Sequence, residues 1–227
     1  MSEPTSASPT FGGDDARPRW TRRDIAALVS ADIPDGSFVN LGIGMPTQLA
    51  NITDSNREII FHSENGIVGL GRHAAVDEQD DDLINAGKEY VTVVTGAAFI
   101  SHSDSFGLIR GGHLDLCVMG AFQVAANGDF ANWKVPGSKI DAVGGAMDLA
   151  AGVTRVWIMM ELFDKNGESK IQPSCTYPLT GCGVVERVYS DIAVFDLTDS
   201  GVAVTKILDG YNLEELQRRI PVPLQLA

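Results

Sequence analysis

The chain has 227 residues, 44% of them hydrophobic, with 24 glycines and a formal net charge of −13. That length buries one full core, so a single domain is expected, and so acidic a balance excludes the basic footprint that nucleic-acid phosphates demand. The longest apolar stretches, such as Val156-Trp157-Ile158-Met159-Met160, are too short to cross a bilayer.

The N-terminus, MSEPTSASPTFGGDDARPRW, has neither the basic nor the apolar region of a secretion signal. Its Ser, Pro, Gly and Asp content predicts a disordered tail over residues 1–18, with one folded domain over 19–227. Thr21 is placed to cap a first helix, with Asp24 at its third position and Ile25, Leu28 and Val29 on one face. Pro34-Asp35-Gly36 turns the chain into a strand from Ser37 to Leu41. After Gly42-Ile43-Gly44, Pro46 is expected as the first residue of a helix through Leu49 and Ile52. Glu58 to Phe61 reads as a strand that ends in the turn Ser63-Glu64-Asn65-Gly66, and Tyr90 to Val94 as another.

Ser105 to Arg110 is a short amphipathic segment closed by Gly111-Gly112, and Leu114 to Met119 a buried strand. Asn127-Gly128, within Phe122 to Trp133, marks a hairpin. Arg155 to Met160, Asp191 to Leu197 and Val202 to Ile207 read as strands, and a last helix starts at Asn212 with Glu215 completing a capping box. Strands and helices alternate early and strands dominate late. The expected fold is therefore α/β, a single domain with a largely parallel open sheet plus antiparallel strands.

Several chemistries are weakened by what the residues do not form. LGIGMPT follows a strand and suggests a dinucleotide loop, but Thr47 stands at the third glycine position and Pro46 in the turn that must approach a pyrophosphate. The four histidines, His62, His73, His102 and His113, have no zinc-binding spacing. No G-x-S-x-G elbow holds Ser63 or Ser174. Cys117, Cys175 and Cys182 lack a C-x-x-C pair and leave one over, as free thiols in the cytoplasm would. Cys175 or Cys182 as a nucleophile needs a distant histidine, and small core residues are the simpler reading. The run Asp77-Glu78-Gln79-Asp80-Asp81-Asp82 reads as a solvated loop or helix start, and no metal site is expected. The positive signal is a set of glycine clusters, Gly42/Gly44, Gly66/Gly69/Gly71, Gly111/Gly112 and Gly144/Gly145. Strand ends of an open α/β sheet converge on one crevice, where glycine lets ligand and backbone approach; Glu64, directly after a strand, would point into it.

Eight stretches in order are NLGIGMP, SENGIVGLG, DLINAGK, SFGLIRGGHLDL, GAFQV, GDFANWKVPG, GGAMDL and CTYPLTG. Together they resemble the B (β) subunit of a family I CoA transferase, the 3-oxoacid CoA-transferase group, from about Ile25 to Asp209. The resemblance implies that Glu64 is the catalytic glutamate, carrying first an acyl group as an anhydride and then CoA as a thioester, in double displacement. It implies an oxyanion-binding N–H at Gly145, with Gly144 setting the loop, and a CoA-binding surface of Gly144, Asn65, Gly66, Gly42 and Gly44. CoA is then a substrate and no cofactor is expected; ATP is not needed.

On this resemblance Ile59, Ile60, Phe61, Ile67, Val68 and Leu70 are expected to supply a water-poor wall around Glu64. Arg72, Arg110, Lys134 and Lys139 are the candidate cations for an anionic ligand. A separate A (α) subunit is implied, in an A2B2 heterotetramer located in the cytoplasm, with succinyl-CoA as donor and 3-oxoadipate or acetoacetate as acceptor. Two alternatives use the same residues differently: an acyl-CoA hydrolase in which water intercepts the glutamyl thioester, and a non-catalytic partner subunit. Departures from the family pattern are Arg72-His73 after the glycine-rich run in place of Pro, Leu162-Phe163 in a frequently polar stretch, and Tyr177 where Leu is common.

Overall fold

The computed structural model describes residues 17–137 and 142–227; most of the expected tail, and Lys139, lie outside these. Helix α1 (Arg22–Asp32) opens as expected: the Thr21 hydroxyl accepts from the Asp24 N–H while the Asp24 carboxylate accepts from the Thr21 N–H. Strand β1 (Phe38–Leu41) follows. Pro46 does not open an α-helix; it lies within a 3₁₀ turn, Met45–Gln48, that leads into the single-turn α2 (Leu49–Ile52). The Thr47 N–H and hydroxyl both return to the Gly44 carbonyl, and that three-residue closure tightens the turn.

Strand β2 (Ile60–Ser63) starts two residues later than expected, because its parallel ladder with β1 pairs Phe38 with Ile60. The stretch after the turn, which reads from sequence only as glycine-rich, is strand β3 (Ile67–His73), and its partner β4 (Val91–Phe99) is correspondingly longer than expected. Helix α3 (His102–Arg110) begins earlier than Ser105, capped by Ser101, whose hydroxyl accepts from the Asp104 N–H. Strand β5 (Leu116–Met119) is followed by the Asn-Gly hairpin of β6 (Gln123–Ala125) and β7 (Phe130–Ala131). Helix α4 (Ala146–Gly152) has no counterpart among the expected elements; β8 (Val156–Met160), β9 (Ile171–Gln172) and β10 (Val185–Ser190) come next. The antiparallel pair β11 (Ala193–Thr198) and β12 (Gly201–Ile207), helix α5 (Leu213–Arg219) and β13 (Leu224–Leu226) complete the chain. At α5 only half of the expected box forms: Asn212 accepts from the Glu215 N–H, while the Glu215 carboxylate faces Arg17.

Ten strands form one sheet in the order β13-β12-β11-β10-β8-β5-β1-β2-β3-β4, and β7-β6-β9 form a small second sheet. The five central strands, β10 to β2, are parallel, and the antiparallel additions lie at both flanks. Both faces of the parallel part are buried, and side chains alternate between two cores. Leu116, Val118, Trp157 and Met159 pack with α1 on one face; Cys117, Met119, Val156, Ile158 and Met160 pack toward α3, α4 and α5 on the other. From β1 the chain steps to β2 on one side, and β5 returns to the other side of β1. Where order reverses in this way, loops leaving the carboxyl ends of the strands diverge and open a crevice.

Candidate active site

The crevice is there. A cleft of about 590 Å³ is bordered by the residues that leave four parallel strands: Gly42 after β1, Glu64 after β2, Gly120 after β5 and Glu161 after β8. Gly44, Gly144 and Gly145 border it as well. A second, smaller cavity of about 440 Å³ is lined by His102, Ser103, Phe106 and Arg110 of α3 together with Gly144, Gly145 and, again, Glu64. Glu64 and the two glycines are therefore common to both spaces, with the carboxylate at their junction.

The local chain explains why Glu64 stands there. Residues 64 to 66 form the turn between β2 and β3, closed by the Gly66 N–H donating to the Ser63 carbonyl at 2.9 Å. Gly66 has φ of 116°, and a Cβ on it would fall on the Ile100 carbonyl oxygen, so only glycine takes this conformation in this space. Gly145, at the start of α4, is constrained by space alone. A Cβ there would overlap Glu64 Oε2 and lie 2.8 Å from Phe106 Cζ. Thus the carboxylate and an aromatic edge both lie against the Gly145 backbone. Burial pushes the Glu64 carboxyl above its ordinary value; the charge of His102 opposes the rise and that of Asp148 adds to it.

The other expected residues divide sharply. Asn65 is exposed and donates to the Ile84 carbonyl at 2.8 Å, and Gly66 is packed against Ile100; neither borders the cavities. The expected wall is corrected: Phe61, Ile67 and Leu70 belong to the core on the α1 side, and Ile60 is 49% exposed. A hairpin sends the residues flanking its turn back into the sheet, so the walls come from other elements, chiefly Leu41, Met119, Met159, Leu149 and Phe106.

Among the candidate cations, Arg72 is held by both oxygens of Glu78 at 2.7 Å, away from the cleft, and Lys134 stands over the Trp133 ring. Arg110 does reach the smaller cavity, with its Nε donating to Asp148 at 2.7 Å. Sequence reading missed Arg22 and Lys170, which border the large cleft from α1 and from just before β9. It also missed His102, three residues ahead of the SFGLIRGGHLDL stretch, where nearness to a motif was the available signal. Cys117, Cys175 and Cys182 are free thiols; burial lifts Cys175 to about 11, far from nucleophilic. Among the described residues, no group of three or more His, Cys, Asp or Glu side chains is arranged to hold a metal, and no helix is long and apolar enough to cross a membrane.

The coenzyme A transferase family matches residues 22–218. The chain is 52% identical over 207 residues to the B subunit of the 3-oxoadipate CoA-transferase of Pseudomonas putida, covering 91% of this chain and 97% of that one. It is 43% identical over 205 residues to the B subunit of a probable succinyl-CoA:3-ketoacid coenzyme A transferase of Bacillus subtilis, covering 90% and 93%. In fold it is similar to an acyl-CoA transferase of Escherichia coli O157:H7, crystallised as a thioester complex with CoA. That likeness has a TM-score of 0.70 and 20% identity, over 94% of this chain and 43% of that one.

Proposed function

Because the chain belongs to the coenzyme A transferase family, as a relative of its B subunits, we propose that it moves CoA from succinyl-CoA to a 3-oxo acid with Glu64 as the covalent carrier. The acceptor is 3-oxoadipate or acetoacetate, and a separate A (α) subunit completes the site, in an A2B2 assembly located in the cytoplasm. The observation that carries the reading is the Glu64 carboxylate at the junction of two cavities, drawn from water and seated against Gly145.

In the first step a Glu64 oxygen attacks the thioester carbonyl of succinyl-CoA. The tetrahedral oxyanion collapses, CoA leaves as thiolate, and a succinyl-glutamyl anhydride remains. The thiolate then attacks the Glu64 carbonyl, succinate departs, and CoA is bound to Glu64 as a thioester. The acceptor carboxylate attacks that thioester and displaces the thiolate, which returns to the acceptor's new carbonyl and frees Glu64. No net proton is taken up or released, so the chain's task is to position groups and exclude water. Partial burial, which raises the Glu64 pKa, removes hydration that would blunt the carboxylate. The N–H of Gly145, which lines both cavities together with Glu64, is assigned to the oxyanions. The large cleft suits the long CoA arm, with Gly42, Gly44 and Gly144 on its wall and Arg22 and Lys170 offsetting the acidic field. The smaller cavity suits the acyl chain, beside Phe106 and His102.

The test is co-expression with the cognate α-type companion and an acceptor panel assayed with succinyl-CoA. Borohydride reduction during turnover should convert Glu64 to its alcohol, located by mass in the peptide holding residues 63–71, and Glu64→Gln should abolish both label and transfer. Label on another residue, or transfer retained by Glu64→Gln, would overturn the proposal.

A further inference from the structure

A row of polar side chains crosses the core beneath the turn that carries Glu64. Parallel pairing sets Cys117 of β5, Asn40 of β1 and His62 of β2 side by side, since Asn40 is the register partner of both the others. All three are essentially inaccessible, as is Ser105 of α3, which packs above them. The Cys117 S–H donates to Asn40 Oδ1 at 3.4 Å, which orients the amide. Asn40 Nδ2 donates to His62 Nδ1 at 2.9 Å, so the imidazole proton is on Nε2. That N–H donates to Ser105 Oγ at 3.0 Å, and the Ser105 hydroxyl donates onward to the Glu64 main-chain carbonyl at 2.8 Å. Every bond in the series has one direction only.

Such a row is not what the core needs for stability. Polar groups in an apolar interior cost free energy unless fully bonded, and apolar residues of similar shape are commonly neutral or better there. Its free end is the informative part: it terminates on the backbone of the residue proposed as carrier. The next residue along α3, Phe106, lies against the place where Glu64 Oε2 meets Gly145. One bond therefore ties together the turn holding the carboxylate and the helix that walls it. Burial holds His62 neutral, its pKa lowered to about 4, so the series keeps its direction across the neutral range.

We propose that Asn40, His62 and Ser105 form a positioning relay that holds the Glu64 main chain in register with Gly145 and Phe106 while acyl and CoA groups are exchanged. The relay rests on the reading of Glu64 as the carrier. It touches no substrate, so these are positioning residues. Its loss lets the carboxylate drift on a scale of tenths of an ångström to an ångström, which at a reacting centre costs up to about 100-fold in rate.

The experiment uses the complex assembled with the α-type companion and compares three serine variants. In Ser105→Ala, kcat should fall about 10- to 100-fold, with KM for donor and acceptor within about twofold. Ser105→Cys, which keeps a weaker donor of similar size, should recover part of that rate. Ser190→Ala is the structural control: Ser190 is equally buried, and its hydroxyl also donates to a main-chain carbonyl, that of Ala193, at 2.7 Å. It should lower Tm as Ser105→Ala does yet leave kcat unchanged. Equal kcat in wild type and Ser105→Ala, equal loss in the Ala and Cys variants, or a matching kcat loss in Ser190→Ala would each overturn the relay. A wild-type complex with no borohydride label on Glu64 overturns relay and carrier together, whereas a labelled wild type beside an unimpaired Ser105→Ala overturns the relay alone.

Discussion

Gly145→Ala is the sharpest perturbation available at this site, because it adds one methyl group where the carboxylate already lies. The backbone at 145 has φ −85° and ψ 0°, which alanine adopts, so the substitution brings no left-handed strain. The new Cβ would lie 2.8 Å from Phe106 Cζ and 2.9 Å from Glu64 Cδ, and would overlap Oε2. Ordinary contact begins near 3.4 Å, so the carboxylate and ring edge must each retreat by roughly 0.5 Å or more. Glu64 borders both cavities and Phe106 the smaller one, so both have room to shift, and the cost in stability should stay under about 1 kcal/mol. Rate is another matter, since a misplacement approaching 1 Å costs about 100-fold. Steady-state transfer from succinyl-CoA by the complex with its α-type companion should show kcat reduced about 10- to 100-fold, with Tm nearly unchanged. A variant within about threefold of the wild-type rate would refute the claim that contact with Gly145 sets the working position of Glu64.

Three further outcomes follow from the electrostatics. Glu64 has a raised pKa, so its ionised form is destabilising above that value, and below the ordinary value of 4.5 the penalty disappears because the group is protonated whether folded or not. Glu64→Gln should therefore melt above wild type at about pH 7 to 8, with the gap closing near pH 4; equal Tm throughout would contradict the burial argument. His102 opposes the Glu64 shift, so in His102→Ala the Glu64 pKa should rise further and the acid limb of kcat/KM should move to higher pH; an unmoved limb would show that the imidazole is too well screened to matter. His62 is depressed from 6.5 to about 4, so the unfolded chain binds a proton first as pH falls, and folded stability is lost progressively between those values. The total is about 3 kcal/mol, and urea unfolding of His62→Gln should lack that slope between about pH 6.5 and 4; a slope as steep as wild type would place the loss elsewhere.

How far the sequence reached depends on the range of the interaction involved. Local chemistry was legible: the Thr21 cap, the hairpin at Asn127-Gly128 and the continuous apolar runs of β5 and β8 can be read from a few neighbouring residues. The eight motifs in order identified the family and singled out Glu64, because catalysis holds particular residue types at particular spacings. Much of what failed depended on strand pairing. Strand β3 was not recognised as a strand, because its glycines are interspersed with apolar residues that only β2 and β4 make into a ladder.

The wall around Glu64 was sought among its sequence neighbours and lies instead on β1, β5, β8, α3 and α4, since a hairpin turn projects away from its own strands. Of the candidate cations, proximity to a glycine-rich segment selected Arg72, whose fork Glu78 occupies, and passed over Arg22 and Lys170. The chain's own order of residues thus determined the fold class and the turns, which residue patterning and local sterics encode, and its ordered motifs pointed to Glu64 as the candidate carboxylate. Only the tertiary structure decided that Cys117, Asn40 and His62 stand abreast and that Ser105 joins them to Glu64. Strand order and parallel register are set by long-range burial of two sheet faces, and no spacing along the chain specifies which strand lies beside which.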